Sequence, residues 1–162
     1  MELRLSTVFF ILSTLSILPF YLLMLFMPRA AVTRRVLGSL WPVGVPSAVH
    51  GSFILCISIW LKPDVLDLWR GLYLENGLFG TTTVAFLSKV YDMYPAYATL
   101  HGWVHVVVGD LFMARWAYLD GVEQNAPGWM LALISLMIGF VGPLGVITYV
   151  LIRPRFAQAK QK

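Results

Sequence analysis

Four long apolar runs alternate with short polar stretches along this chain. Residues 5–27, 40–61 and 129–152 contain no Asp, Glu, Lys or Arg. Residues 96–119 are as long but carry polar and ionisable side chains. At 1.5 Å per residue each run makes a helix of about 33–36 Å, enough to cross a hydrocarbon core of about 30 Å. Met27-Pro28-Arg29 ends the first run with a helix breaker and a charge. That run is too long for the core of a signal peptide and reads as a retained span, with no transit peptide before it. Trp41, Trp60, Tyr118 and Trp129 fall near run ends, where an aromatic belt sits at the membrane–water boundary.

The stretch from Lys62 to Pro95 is different. Val65, Leu66, Leu68, Trp69, Leu72 and Tyr73 recur at helical spacing, with Asp67, Arg70 and Glu75 among them. This pattern predicts an interfacial amphipathic helix. Residues 77–90 are apolar but short for a crossing, and Thr81, Thr82 and Thr83 weaken them, which suits a re-entrant or surface helix. The predicted fold is an all-α integral membrane helical bundle. It has four transmembrane helices plus a short amphipathic or re-entrant helix, in a single transmembrane domain over residues 1–162. Five spans is the alternative.

Composition supports the membrane reading. The chain of 162 residues is 59% hydrophobic and only 12% charged, about half the roughly 25% of a soluble domain. Its net charge of +4 comes from short clusters at run ends, Arg29, Arg34 and Arg35, then Arg153, Arg155, Lys160 and Lys162. Such clusters suit phospholipid headgroups and topology control; they form no nucleic-acid face. With four spans the two clusters lie on opposite sides; a fifth crossing by residues 77–90 puts both inside. The single cysteine, Cys56, excludes an intrachain disulfide and reads as a small buried hydrophobe.

The chemistry gathers in the third run, His101-Gly-Trp103-Val-His105 through Asp110 to Arg115-Trp116. A charge at mid-bilayer depth costs at least about 2.5–3.5 kcal/mol, so such residues face protein or water. With about 100° per residue, His105 lies near 40° from His101, Arg115 near −40° and Trp116 near 60°, while Asp110 falls near 180°, beside Trp103. Gly102 and Gly109 flank the first stripe and offer close approach. Asp110 and Arg115 are too far apart around the helix to pair, so each is expected to find its partner on another helix.

His101 and His105 at i,i+4 can hold a metal, with His50 of the second run as a third ligand. Hydrogen-bonded packing histidines, or a catalytic role for His105, are the other readings. A desolvated Asp110 can shuttle protons, and Arg115 can stabilise an oxyanion. Gly139, Gly142-Pro143 and Gly145 predict a kinked, closely packed last helix, with a substrate notch as the alternative.

Gly102-Trp103-Val104-His105, Asp110-Leu111-Phe112 and Arg115-Trp116 together resemble the signature of the abscisic-acid-deficient-four-like membrane proteins. Thr33-Arg34-Arg35, Gly77-Leu-Phe-Gly, Pro127, and Gly142-Pro143-Leu144-Gly145 with Tyr149 extend the likeness over nearly the whole chain. The family's plant members are linked to forming neoxanthin from violaxanthin. The resemblance therefore implies a membrane isomerase or cyclase acting on a carotenoid or terpenoid epoxide. It implies His105, Asp110 and Arg115 as catalytic residues. Trp103, Trp116, His50, His101, Gly142 and Pro143 are the expected substrate contacts. An epoxide rearrangement is redox-neutral, so no cofactor is expected. The family carries a small residue in place of His101, so no metal is assigned. The expected partners are a lipophilic small molecule and the bilayer. A non-catalytic pigment or lipid binder, or an assembly subunit, is the alternative.

Overall fold

The computed structural model describes residues 2–60 and 95–159, together with Asp67, Arg70 and Asp92. Among them all regular structure is helical: α1 Glu2–Phe26, α2 Ala31–Gly38, α3 Trp41–Trp60, α4 Pro95–Glu123, α5 Gly128–Val141 and α6 Pro143–Ala159. The predicted helix over residues 77–90 lies outside the described residues. Of the predicted amphipathic helix only Asp67 and Arg70 are described; both are helical and exposed.

The first run behaves as its sequence dictates, with α1 ending one residue before Met27-Pro28. Buried Thr33 closes the turn that follows by donating from Oγ1 to the Met27 carbonyl at 2.7 Å. The same carbonyl accepts the Ala30 N–H at 3.1 Å, so two bonds hold this turn. By length and composition one described helix, Thr7–Phe26, is suited to crossing a membrane; Gly128–Val141 and Pro143–Pro154 are apolar but shorter.

Side-chain contacts fix the helix directions. Phe10 meets Trp103 at 5.2 Å between ring centroids, and Tyr118 near the end of α4 donates to the Pro28 carbonyl at 2.8 Å. Helices α1 and α4 therefore run parallel. His50 meets His105 at 4.4 Å while Phe53 meets His101 at 6.4 Å, so α3 runs antiparallel to α4. The end of α3 and the start of α4 consequently share one end of the bundle. Tyr118 departs from the predicted aromatic belt. It is 1% exposed, because its hydroxyl finds a backbone acceptor inside the bundle and its ring fills the core.

The last run departs furthest from expectation. Residues 129–152 are not one kinked span but two helices folded back on each other. Gly142 joins them with φ 47°, a left-handed conformation that side chains resist. A Cβ on Gly145 would meet the Ile138 backbone nitrogen at 2.5 Å, so the arms touch just below the turn. At the other end, Leu131 of α5 and Tyr149 of α6 both reach Gly121 of α4, which a continuous helix could not arrange. Pro143 opens α6 at a position where its missing N–H has no helical acceptor to lose.

The hairpin returns the chain to the end it left. Arg29, between α1 and α2, donates from Nη2 to the carbonyls of Asn125 and Ala126 in the α4–α5 turn. Arg153 of α6 pairs with Asp120 near the end of α4. Arg29 and Arg153 thus reach the same end of the bundle, which corrects the separation expected of these two residues in a chain of four full spans.

Candidate functional site

Helix α4 is the spine of the chemistry, and its polar residues meet different neighbours around its circumference. One face carries His101 and His105, a turn apart. Antiparallel α3 brings His50 opposite them, with ring centroids 5.6 Å from His101 and 4.4 Å from His105. Ligand-capable nitrogens of all three lie within 4.8 Å of one another. His50 and His101 are half-buried and His105 is exposed. His50 Nε2 is buried with no hydrogen-bond partner among the described residues.

Asp110 faces the other way, toward α1 and the hairpin. Its Oδ1 lies where a Cβ on Gly142 would approach to 2.9 Å, so only glycine fits beneath it. The Asp110 charge bears on Tyr21 of α1. The Tyr21 ring packs over Gly139, and its buried hydroxyl has no hydrogen-bond partner among the described residues. A half-buried carboxylate and a free phenol therefore share the tip of the hairpin. Tyr21 was not visible from the sequence, where it is one aromatic residue in an apolar run.

Arg115 belongs to neither group. Its Nε donates to the Leu37 carbonyl at 2.6 Å and its Nη2 to the Ser39 carbonyl at 3.4 Å. These carbonyls end α2, where the helix leaves acceptors unsatisfied and a cation is favoured. These bonds tie α2 to α4. Arg115→Ala is expected to lower stability by about 1–3 kcal/mol, the usual range for losing a charged hydrogen bond over a part-buried acceptor. Thermal unfolding in detergent measures this. Arg115→Lys recovers little, because an ammonium cannot reproduce the planar fork.

The remaining expected contacts are dispersed. Trp103 lies against Phe10, and Trp116 stands edge-on to Tyr149 at 5.5 Å. Pro143 is exposed on the hairpin. Gly109 has open space where a Cβ would go, so it is not the close-approach point that the spacing implies. Gly121 fills that role, with Leu131 Cδ2 2.6 Å from its virtual Cβ.

A third polar group, missed by sequence, joins the ends of α4 and α6. Arg153 holds Asp120 in a fork, Nε to Oδ2 and Nη2 to Oδ1, both at 2.7 Å. Tyr149 donates to the same Oδ2. The Arg153 hydrogen bonds hold the Asp120 carboxyl below the usual carboxylate range, against a smaller opposing effect of burial. A depressed folded value stabilises above the unfolded pKa and fades as pH falls through the folded one. The melting midpoint is expected to hold between about pH 7 and 5 and to fall below about pH 4. Asp120→Asn should lower the neutral-pH midpoint and flatten that acid limb.

The chain is 28% identical over 140 residues to "Protein ABA DEFICIENT 4, chloroplastic" of Arabidopsis thaliana. The match takes in 86% of this chain and 58% of that relative's length. No solved structure matches. The family described as ABA DEFICIENT 4-like matches residues 8–149, from the first helix through the hairpin to Tyr149, and the chain belongs to that family.

Proposed function

We propose that this protein is a multi-pass membrane isomerase that rearranges a carotenoid or terpenoid epoxide at the tip of the α5–α6 hairpin. The observation that carries the reading is the meeting of Asp110, the Gly142 turn and the Tyr21 hydroxyl, unpartnered among the described residues, inside an apolar bundle. Family membership supports the substrate class, through the link of its plant members to neoxanthin formation from violaxanthin.

The chemistry needs two reagents. A base takes the proton from the carbon next to the epoxide. The C–O bond on the near ring carbon breaks as a cumulated double bond forms. The alkoxide left on the far ring carbon then takes a proton. Substrate and product are isomers, and no electrons are gained or lost. Asp110 serves as the base and Tyr21 as the donor at oxygen.

Apolar surface supports the membrane location. Only 28% of the most apolar stretch of α1 is buried in the bundle. Large side chains such as Leu15, Phe140 and Leu151 point outward, 54%, 83% and 73% exposed, an area too extensive for a soluble monomer. Helices α1, α3 and α4 are then the crossings. Helix α5, with 14 residues, is about 21 Å long and reaches only part-way. Asp110 lies about 15 Å along α4 from Asp120, close to the bilayer midplane when Asp120 sits at the interface. Arg29 and Arg153 on one side are then in keeping with the positive-inside rule.

The test is reconstitution in liposomes containing a 5,6-epoxycarotenoid. The expected product has unchanged mass and altered retention and absorption. Tyr21→Phe should slow turnover at least about tenfold while leaving the melting midpoint equal or higher, since it removes a buried hydroxyl without a partner. Stoichiometric recovery of unmodified epoxide would replace catalysis with the binding reading. That second reading is favoured by one observation, the engagement of Arg115 with backbone carbonyls.

A further inference from the structure

We infer that His50, His101 and His105 form a binding site for a divalent first-row transition metal ion. Two ligands come from one turn of α4, and the third comes from α3, whose antiparallel register sets it opposite. The three nitrogens, all within 4.8 Å of one another, need only modest side-chain rotation to reach the spacing of about 3.4 Å set by tetrahedral Zn–N bonds of about 2.0–2.1 Å.

Two independent details favour a metal over packing. His105 Nδ1 lies 3.3 Å from the His101 carbonyl. A carbonyl only accepts, so this contact favours the tautomer with the proton on Nδ1, which leaves Nε2 its lone pair. Metal-bound histidines are commonly oriented by such an outer bond. His50 Nε2 is buried without a partner among the described residues. A packing histidine would be expected to satisfy that atom, because a bare polar nitrogen in an apolar bundle is costly. A metal ion satisfies it directly.

The ligand set also indicates the class of ion. Three neutral imidazoles suit zinc, copper, iron or nickel rather than magnesium or calcium. Among the described residues no carboxylate or thiol joins the cluster. Three protein ligands leave a fourth position open, as in metal sites that bind water or a ligand oxygen. His105 is the exposed member of the three. The site occupies the face of α4 opposite Asp110 and stands or falls independently of the epoxide chemistry.

The experiment uses detergent-purified full-length protein without a polyhistidine tag, stripped with chelator, loaded with zinc and desalted. Elemental analysis should find about one zinc per chain, and zinc-edge X-ray absorption should fit three imidazole nitrogens. His101→Ala and His50→Ala should each weaken zinc retention at least about tenfold while eluting as the wild type does on gel filtration. Wild-type protein that retains under about a tenth of an equivalent, or an absorption spectrum fitting fewer than two imidazoles, overturns the site. Equal retention by either folded variant also overturns it. Should a variant fail to fold, the wild-type absorption spectrum decides.

Discussion

Gly145→Ala is expected to destabilise the protein by about 3 kcal/mol, at the upper end of the usual overpacking range. The added Cβ would lie 2.5 Å from the Ile138 backbone nitrogen and 2.8 Å from its Cα. A side chain could rotate away from such an intrusion, but the backbone of a facing helix cannot. The arms of the hairpin must separate, and the layer of α5 against α4 loosens with them. For a chain of this size the expected fall in melting midpoint is roughly 6–12 °C. Gly142→Ala should act in the same direction, through its positive φ and the Asp110 oxygen above it. Gly109→Ala supplies the contrast. Nothing lies within 4 Å of its virtual Cβ, so alanine there should stabilise α4 by up to about 1 kcal/mol. The opposite signs separate a closed hairpin from a general dislike of alanine. Equal stability of Gly145→Ala and wild type would mean that the arms do not close.

Asp110→Asn is expected to reduce epoxide turnover by about 10²–10⁴-fold, the usual contribution of a positioned general base. Asparagine keeps the shape and the polarity beside Gly142 but does not accept a proton at useful pH. The variant should therefore fold, with a midpoint near that of wild type. Rates of isomer formation in liposomes, compared at equal protein, give the ratio. Undiminished turnover would remove Asp110 from the chemistry and direct attention to the histidine face.

Much of the site's layout was legible in the helical repeat. The spacing puts His101, His105 and Arg115 on one stripe, and all three meet the α2–α3 side of the bundle. It sets Asp110 with Trp103 on the opposite stripe, and both meet α1. It also separates Asp110 from Arg115, each of which finds neighbours on other helices. The end of α1 followed from Pro28.

The reversal at Gly142 was not legible, for a physical reason. Hydropathy is the same on both sides of Gly142-Pro143, and a kink and a turn use the same two residues. What distinguishes them is the match of Gly142 to Asp110 and of Leu131 to Gly121, which is a property of two helices together. The Asp120–Arg153 pair depends on that same reversal and was hidden with it. The sequence offers His50 as a third ligand, and the antiparallel register of α3 is what sets it opposite the histidine pair.

The folded-back hairpin constrains how the polypeptide is made. Neither arm is comfortable alone in a hydrocarbon layer of about 30 Å, since α5 has 14 residues and α6 carries Arg153 and Pro154. In the proposed membrane location, both arms would have to leave the ribosome before either settles, and would dock together against α4. The Gly142 turn meets Asp110 only when the hairpin docks, which makes docking the step that completes the pocket.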